Sequence, residues 1–137
     1  MRIAMAQINT TVGDSEGNIE KIKEYISNAK KNKADLVIFP ELAITGYPPQ
    51  DLLLENAFVK RNKELLEELI SHNGDVAGII GFVDYKGKNL YNAAAVFIGN
   101  KLMGIAHKTL LPTYDVFDED RYFKLARERN QTNINEP

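Results

Sequence analysis

No cysteine occurs anywhere in the 137 residues. That absence excludes disulfides, a thiolate metal site and a thiol nucleophile within the chain. Histidine is nearly as scarce, with only His72 and His107, and no metal-ligand spacing is present. Basic charge is not in excess either: 17 Lys and Arg stand against 19 Asp and Glu, a formal net charge of −2. Nucleic acids and anionic membranes usually demand a basic surface, so neither is an expected partner. No apolar run approaches the ~20 residues needed to span a bilayer. The opening MRIAMAQINTT lacks the charged-then-apolar layout of a signal peptide. Gly78 and Gly81 lie within an apolar run, without the spacing of a Walker or dinucleotide phosphate loop. These absences leave about one small domain of ordinary composition, expected to be soluble and cytoplasmic.

What is present reads as alternating strands and helices. Residues 2–8 form a short strand, and 9–17 a polar loop. Ile19, Ile22, Ile26 and Ala29 then recur at helical spacing, predicting a helix over 17–33 that ends in lysines, as the helix dipole prefers. Leu36-Val37-Ile38-Phe39 is a continuous apolar run, the mark of a strand covered on both faces, and Pro40 stops it. A second helix is predicted over 56–72, with Leu65, Leu66, Leu69 and Ile70 inward. Arg61, Lys63, Glu64, Glu67 and Glu68 form its wet face. Strands follow over 76–83, 90–98 and 101–107, with turns at 84–89 and at Gly99-Asn100. The order β-α-β-α-β followed by a meander predicts an α/β layered domain with helices on a mixed sheet. The closing NQTNINEP is polar and completes neither helix nor strand. It is read as a disordered tail or as a chain cut inside a larger domain.

Glu41 sits at the carboxyl end of a buried strand, where α/β sheets place their ligands. A carboxylate held there against apolar surface would have a raised pKa, which suits a general base. An acid that simply turns to water is the commoner occupant of such a loop. Lys108 closes the 101–107 strand and can offer a fixed positive charge to a developing oxyanion. Lysines at strand ends more often guard an edge against pairing. His107 stands in the alternating strand, and His72 suits a helix-end charge. Tyr47 and Tyr114 lie in two Pro-containing corners, where a tyrosine usually packs.

Taken together, the two motifs carry more than either alone. A strand closing in Phe39-Pro40-Glu41-Leu42 and followed by Gly46-Tyr47, then a strand ending in His107-Lys108-Thr109-x-Leu111-Pro112, resembles the nitrilase (carbon–nitrogen hydrolase) superfamily. TGYPPQDLL after the Glu and LPTYDVFDEDRYF after the Lys narrow it. They look like the glutaminase domains of the glutamine-dependent NAD synthetase family. The resemblance runs from MAQINTTVGD to RYF at 121–123. It implies an αββα sandwich and a Glu, Lys and Cys catalytic set, with Glu41 as general base and Lys108 as oxyanion partner. Tyr47 and Tyr114 would line a glutamine pocket, and Glu119 would hold the Lys or the substrate's amino group. It further implies an ATP- and Mg-dependent synthetase domain, absent here, that amidates deamido-NAD with the ammonia released.

The chain departs from that pattern in one respect. The family's nucleophile follows several tens of residues after the Lys, and here there is no Cys before Pro137. The expectation is therefore the first half of a glutaminase domain, inactive alone. One sheet face should be bare, with a tendency to dimerise, aggregate or remain partly disordered, so a homo-oligomer is expected. Two alternatives stay open: an amidase of the same superfamily with another substrate, and a non-catalytic remnant that binds a partner.

Overall fold

A computed structural model describes residues 1–126. The polar tail at 130–137 lies outside the described residues. The elements are β1 (Ile3–Met5), α1 (Ser15–Lys31), β2 (Leu36–Ile38), α2 (Asn56–Ser71), β3 (Ala77–Lys86), β4 (Asn89–Ile98) and β5 (Lys101–His107). Short 3-10 turns occupy Gln50–Leu54 and Glu119–Arg121. The strands form one sheet in sequence order, β1-β2-β3-β4-β5. The first three are parallel and the last three antiparallel, which is the mixed sheet expected.

The helices form where the apolar periodicity placed them. The Asp14 side chain accepts from the Gly17 N–H at 2.9 Å, so α1 starts two residues earlier than expected. Its buried stripe, Ile19, Ile22, Ile26 and Ala29, packs with Leu65, Leu66, Leu69 and Ile70 of α2. Both helices lie on one sheet face, over Ile80, Phe82, Ala95 and Phe97. Arg61 of α2 ties the helices together at their rim, reaching Glu16 at 2.6 Å and Glu68 at 2.9 Å.

Three sequence expectations are corrected. β1 covers 3–5 rather than 2–8, and the turn at 50–54 was not anticipated. The turn read over 84–89 shrinks to Gly87-Lys88, since Asp84, Tyr85 and Lys86 pair with Tyr91, Leu90 and Asn89. Gly87 and Gly99 take φ of +59° and +56° at the head of two-residue loops, the geometry that suits a right-twisted hairpin. The third concerns Lys63, read as solvent-facing. Its ammonium donates to the buried Asp84 carboxylate at 2.8 Å, which lets a charged residue continue β3.

The opposite sheet face is largely open. Ile3, Met5 and Ile98 are 48%, 77% and 55% exposed, and Ile38, Ile79 and Val96 between them are half-buried. Among the described residues only its end beyond β2 and β3 is covered, by a smaller cluster of Leu42, Leu53, Val59, Val83 and Phe123. Among the described residues there is one helix layer and one sheet, half of the sandwich the resemblance implies.

Candidate active site

The site forms where β2 stops. Proline has no N–H to extend the ladder, so Pro40 ends the strand and the chain turns across β3. A side chain at Gly81 would collide with the backbone of Pro40, Glu41 and Leu42, so only glycine admits this crossing. Leu42, Ala43, Ile44 and Thr45 are then fully buried, with Leu42 at a left-handed φ of +46°. Buried anchorage on its carboxyl side fixes where Glu41 emerges.

Lys108 arrives from the other side of the sheet. Its N–H donates to the Asn92 carbonyl at 2.8 Å, extending the β4–β5 pairing by one bond. Its Nζ donates to Glu41 Oε1 at 2.6 Å and to both oxygens of Glu119, at 3.0 and 3.1 Å. Glu119 is buried, and its Oε1 also accepts from the Tyr47 hydroxyl at 2.9 Å. The structure thus gathers Glu41, Lys108, Glu119 and Tyr47. Tyr114 is not part of that cluster: it is 65% exposed and sits edge-on to Phe117, 5.4 Å between centroids. Phe117 in turn lies 6.2 Å from the Tyr47 ring.

The surroundings set the charges. Burial disfavours the Lys108 ammonium, but the hydrogen bonds to Glu41 and Glu119 outweigh it and hold Lys108 above the ordinary lysine value. Burial and the Glu119 carboxylate push the Tyr47 hydroxyl far above the usual phenol range, so it remains a donor. The Glu41 side chain is 45% exposed, so contact with apolar surface is not what surrounds it. An ammonium and an amide converge on its Oε1, while Oε2 receives no hydrogen bond among the described residues. The arrangement offers an accessible carboxylate oxygen beside a fixed cation, the two groups that proton abstraction and oxyanion stabilisation require. A cleft of about 230 Å3 opens alongside, walled by Tyr47, Pro49, Leu53, Phe117, Glu119 and Tyr122.

Sequence reasoning missed Asn92, whose side-chain amide reaches Glu41 and Glu119. The available signal was an amide inside the apolar run LYNAAAVFI. It also missed a second cluster on the helix face. There Asp84 accepts from Lys63 and meets His107 Nε2 at 2.8 Å, while Tyr91 stacks on the imidazole at 4.3 Å. Burial would raise the Asp84 carboxyl, yet the bonds from Lys63 and His107 prevail and hold it below the usual range. Among the described residues no group of three His, Asp or Glu side chains forms a metal site, and no helix is long and apolar enough to cross a membrane.

Comparison with known proteins identifies the family of the chain. Residues 2–134 match the carbon–nitrogen hydrolase family. The chain is 42% identical over 130 residues to a glutamine-dependent NAD(+) synthetase of Thermotoga maritima, covering 93% of this chain and 22% of that protein. It is 42% identical over 137 residues to the Aquifex aeolicus synthetase, covering 98% and 24%. Among solved structures, the glutamine-dependent NAD+ synthetase of Acinetobacter baumannii superposes with a TM-score of 0.87 at 38% identity, over 92% of this chain and 24% of the other. An amidase from a Nesterenkonia species shares the fold at a TM-score of 0.81 and 20% identity, over 93% and 49%. The chain therefore spans about a quarter of the length of the synthetases it matches.

Proposed function

The chain belongs to the carbon–nitrogen hydrolase family, and from that membership we propose that it forms the first part of the glutaminase domain of a glutamine-dependent NAD synthetase. The observation that carries this is the 2.6 Å contact between Glu41 and Lys108, backed by buried Glu119. In this reading the nucleophile is a cysteine from the rest of the domain, since residues 1–137 contain none. Glu41 takes the thiol proton as sulfur attacks the side-chain amide carbon of glutamine. Lys108 stabilises the oxyanion of the tetrahedral intermediate. When the carbon–nitrogen bond breaks, Glu41 returns the proton to the departing nitrogen and ammonia leaves. A water then attacks the thioester with Glu41 again as base, releasing glutamate and the thiol.

The cleft of about 230 Å3 shares Glu119 and Tyr47 with the site but is lined by neither Glu41 nor Lys108, so the choice of glutamine as substrate rests on the relatives and not on its volume. Tyr47 would wall the glutamine site, and Tyr114 would join it through Phe117. Ammonia would pass to a synthetase domain acting on deamido-NAD, with ATP and Mg2+ bound outside this chain. A cytoplasmic setting belongs to the same reading.

A chimera tests it. The aligned segment of the Thermotoga maritima relative is replaced by this chain, and glutamine-dependent ammonia release is measured. Release should appear, and Glu41→Gln should abolish it while synthesis from free ammonia continues. Equal loss of ammonia-driven synthesis would show that Glu41 does not serve the glutaminase step. Pure 1–137 should release no ammonia; measurable hydrolysis would sink the claim that it is inactive alone.

A further inference from the structure

We propose that Asn92 is the positioning residue of this site, setting the separation of its two carboxylates without adding charge. The proposal rests on the reading of Glu41 as base. Asn92 lies in the middle of β4, opposite Val83, and is almost completely buried. A primary amide in an apolar strand costs free energy unless its N–H groups find acceptors. Here its Nδ2 donates to Glu41 Oε1 at 2.5 Å and to Glu119 Oε2 at 3.3 Å. Both partners are carboxylate oxygens, so the amide nitrogen rather than its oxygen must face them. The backbone of the same residue accepts from the Lys108 N–H at 2.8 Å. One residue therefore holds the main chain of the lysine and the side chains of both its anionic partners.

The physical requirement is specific. Glu41 follows β2, Glu119 comes from a distant 3-10 turn, Lys108 follows β5, and Tyr47 donates to Glu119 from the segment after Glu41. Two carboxylates share one ammonium, and their mutual repulsion would let the ammonium settle on Glu119 alone, where it already contacts both oxygens. Glu41, the more exposed of the two, would then be free to swing into water. An amide with two N–H donors holds one carboxylate on each and leaves the net charge unchanged. Aspartate in its place would add a third negative charge, and alanine would leave the gap open.

The test has two arms. In the chimera, Asn92→Ala should lower kcat for glutamine hydrolysis about ten- to hundredfold, the usual worth of a hydrogen bond to a charged group. KM should change little, and ammonia-driven synthesis should persist. Asn92→Asp, which keeps the shape but removes both donors, should lose more. In the chimera, labelled selectively with 15N-asparagine, the two side-chain amide proton signals of Asn92 are followed by 1H–15N NMR. Glu41→Gln should shift one and Glu119→Gln the other. Unchanged kcat in both Asn92 variants, or amide signals unmoved by both carboxylate variants, would overturn the proposal. If Asn92→Ala loses synthesis as well through misfolding, the NMR arm decides alone. If Glu41→Gln leaves hydrolysis intact, the base assignment fails, and the NMR arm still reports whether Asn92 bridges the carboxylates.

Discussion

His107 and Lys108 are neighbours in the chain, yet they engage opposite faces of the sheet. The imidazole meets Asp84 at 2.8 Å beneath α2, while the ammonium meets Glu41 at 2.6 Å on the other side. The strand end that presents the lysine is thus held from behind by a buried ion cluster. One backbone step thus carries a side chain that anchors the strand end on Asp84 and another that faces the candidate site.

Replacing Lys108 with Met in the chimera should cut kcat for glutamine hydrolysis by about 10²–10³-fold, the typical loss of one oxyanion donor. Steady-state ammonia release against synthesis from free ammonia checks this. A loss confined to KM would point to substrate binding instead.

Asp84→Asn should destabilise the chain by about 1–3 kcal/mol, because Lys63 and His107 lose a charged acceptor. Urea unfolding at neutral pH measures it. The sign with pH follows from the lowered Asp84 value: its contribution is complete above the unfolded carboxyl pKa of about 4 and is lost as pH falls through the folded one. The gap between wild type and Asp84→Asn should therefore close below about pH 4.

Gly81→Ala should cost about 1–3 kcal/mol, since the new methyl meets backbone at Pro40–Leu42 that has little room to yield. In the chimera it should also impair hydrolysis by displacing Glu41. Gly104→Ala is the control: nothing lies within 4 Å of its Cβ position, so its stability change should stay within about 0.5 kcal/mol. Equal effects of the two substitutions in thermal melts would refute the crossing argument.

The open sheet face should drive self-association. Ile3, Met5 and Ile98 present apolar surface that water does not favour. Sedimentation of 1–137 should show mass rising with concentration, and Met5→Lys with Ile98→Lys should suppress it. A monomer that binds no hydrophobic dye at any concentration would contradict this.

Both helices and the meander were legible because their apolar spacing repeats within a few residues, as at Ile19, Ile22 and Ile26. The extent of β3 was not, because Asp84 reads as a turn residue until Lys63 and His107 are brought to it. Lys63 looked solvent-facing for the same reason. Glu41 and Lys108 were found through motifs that mark strand ends. Alone, each favoured a surface role.

Local pattern thus determined the element order, the strand stop at Pro40 and the two residues that close β2 and β5. Only tertiary structure decided that Glu41 and Lys108, 67 residues apart, touch. It also decided that Asn92 joins them and that Tyr114 stays outside, whereas Glu119 on the lysine was already implied by the resemblance. The physical reason is that periodicity reports which face of an element is apolar. Whether a charge is solvated or paired depends on which distant segments the sheet register lays beside it.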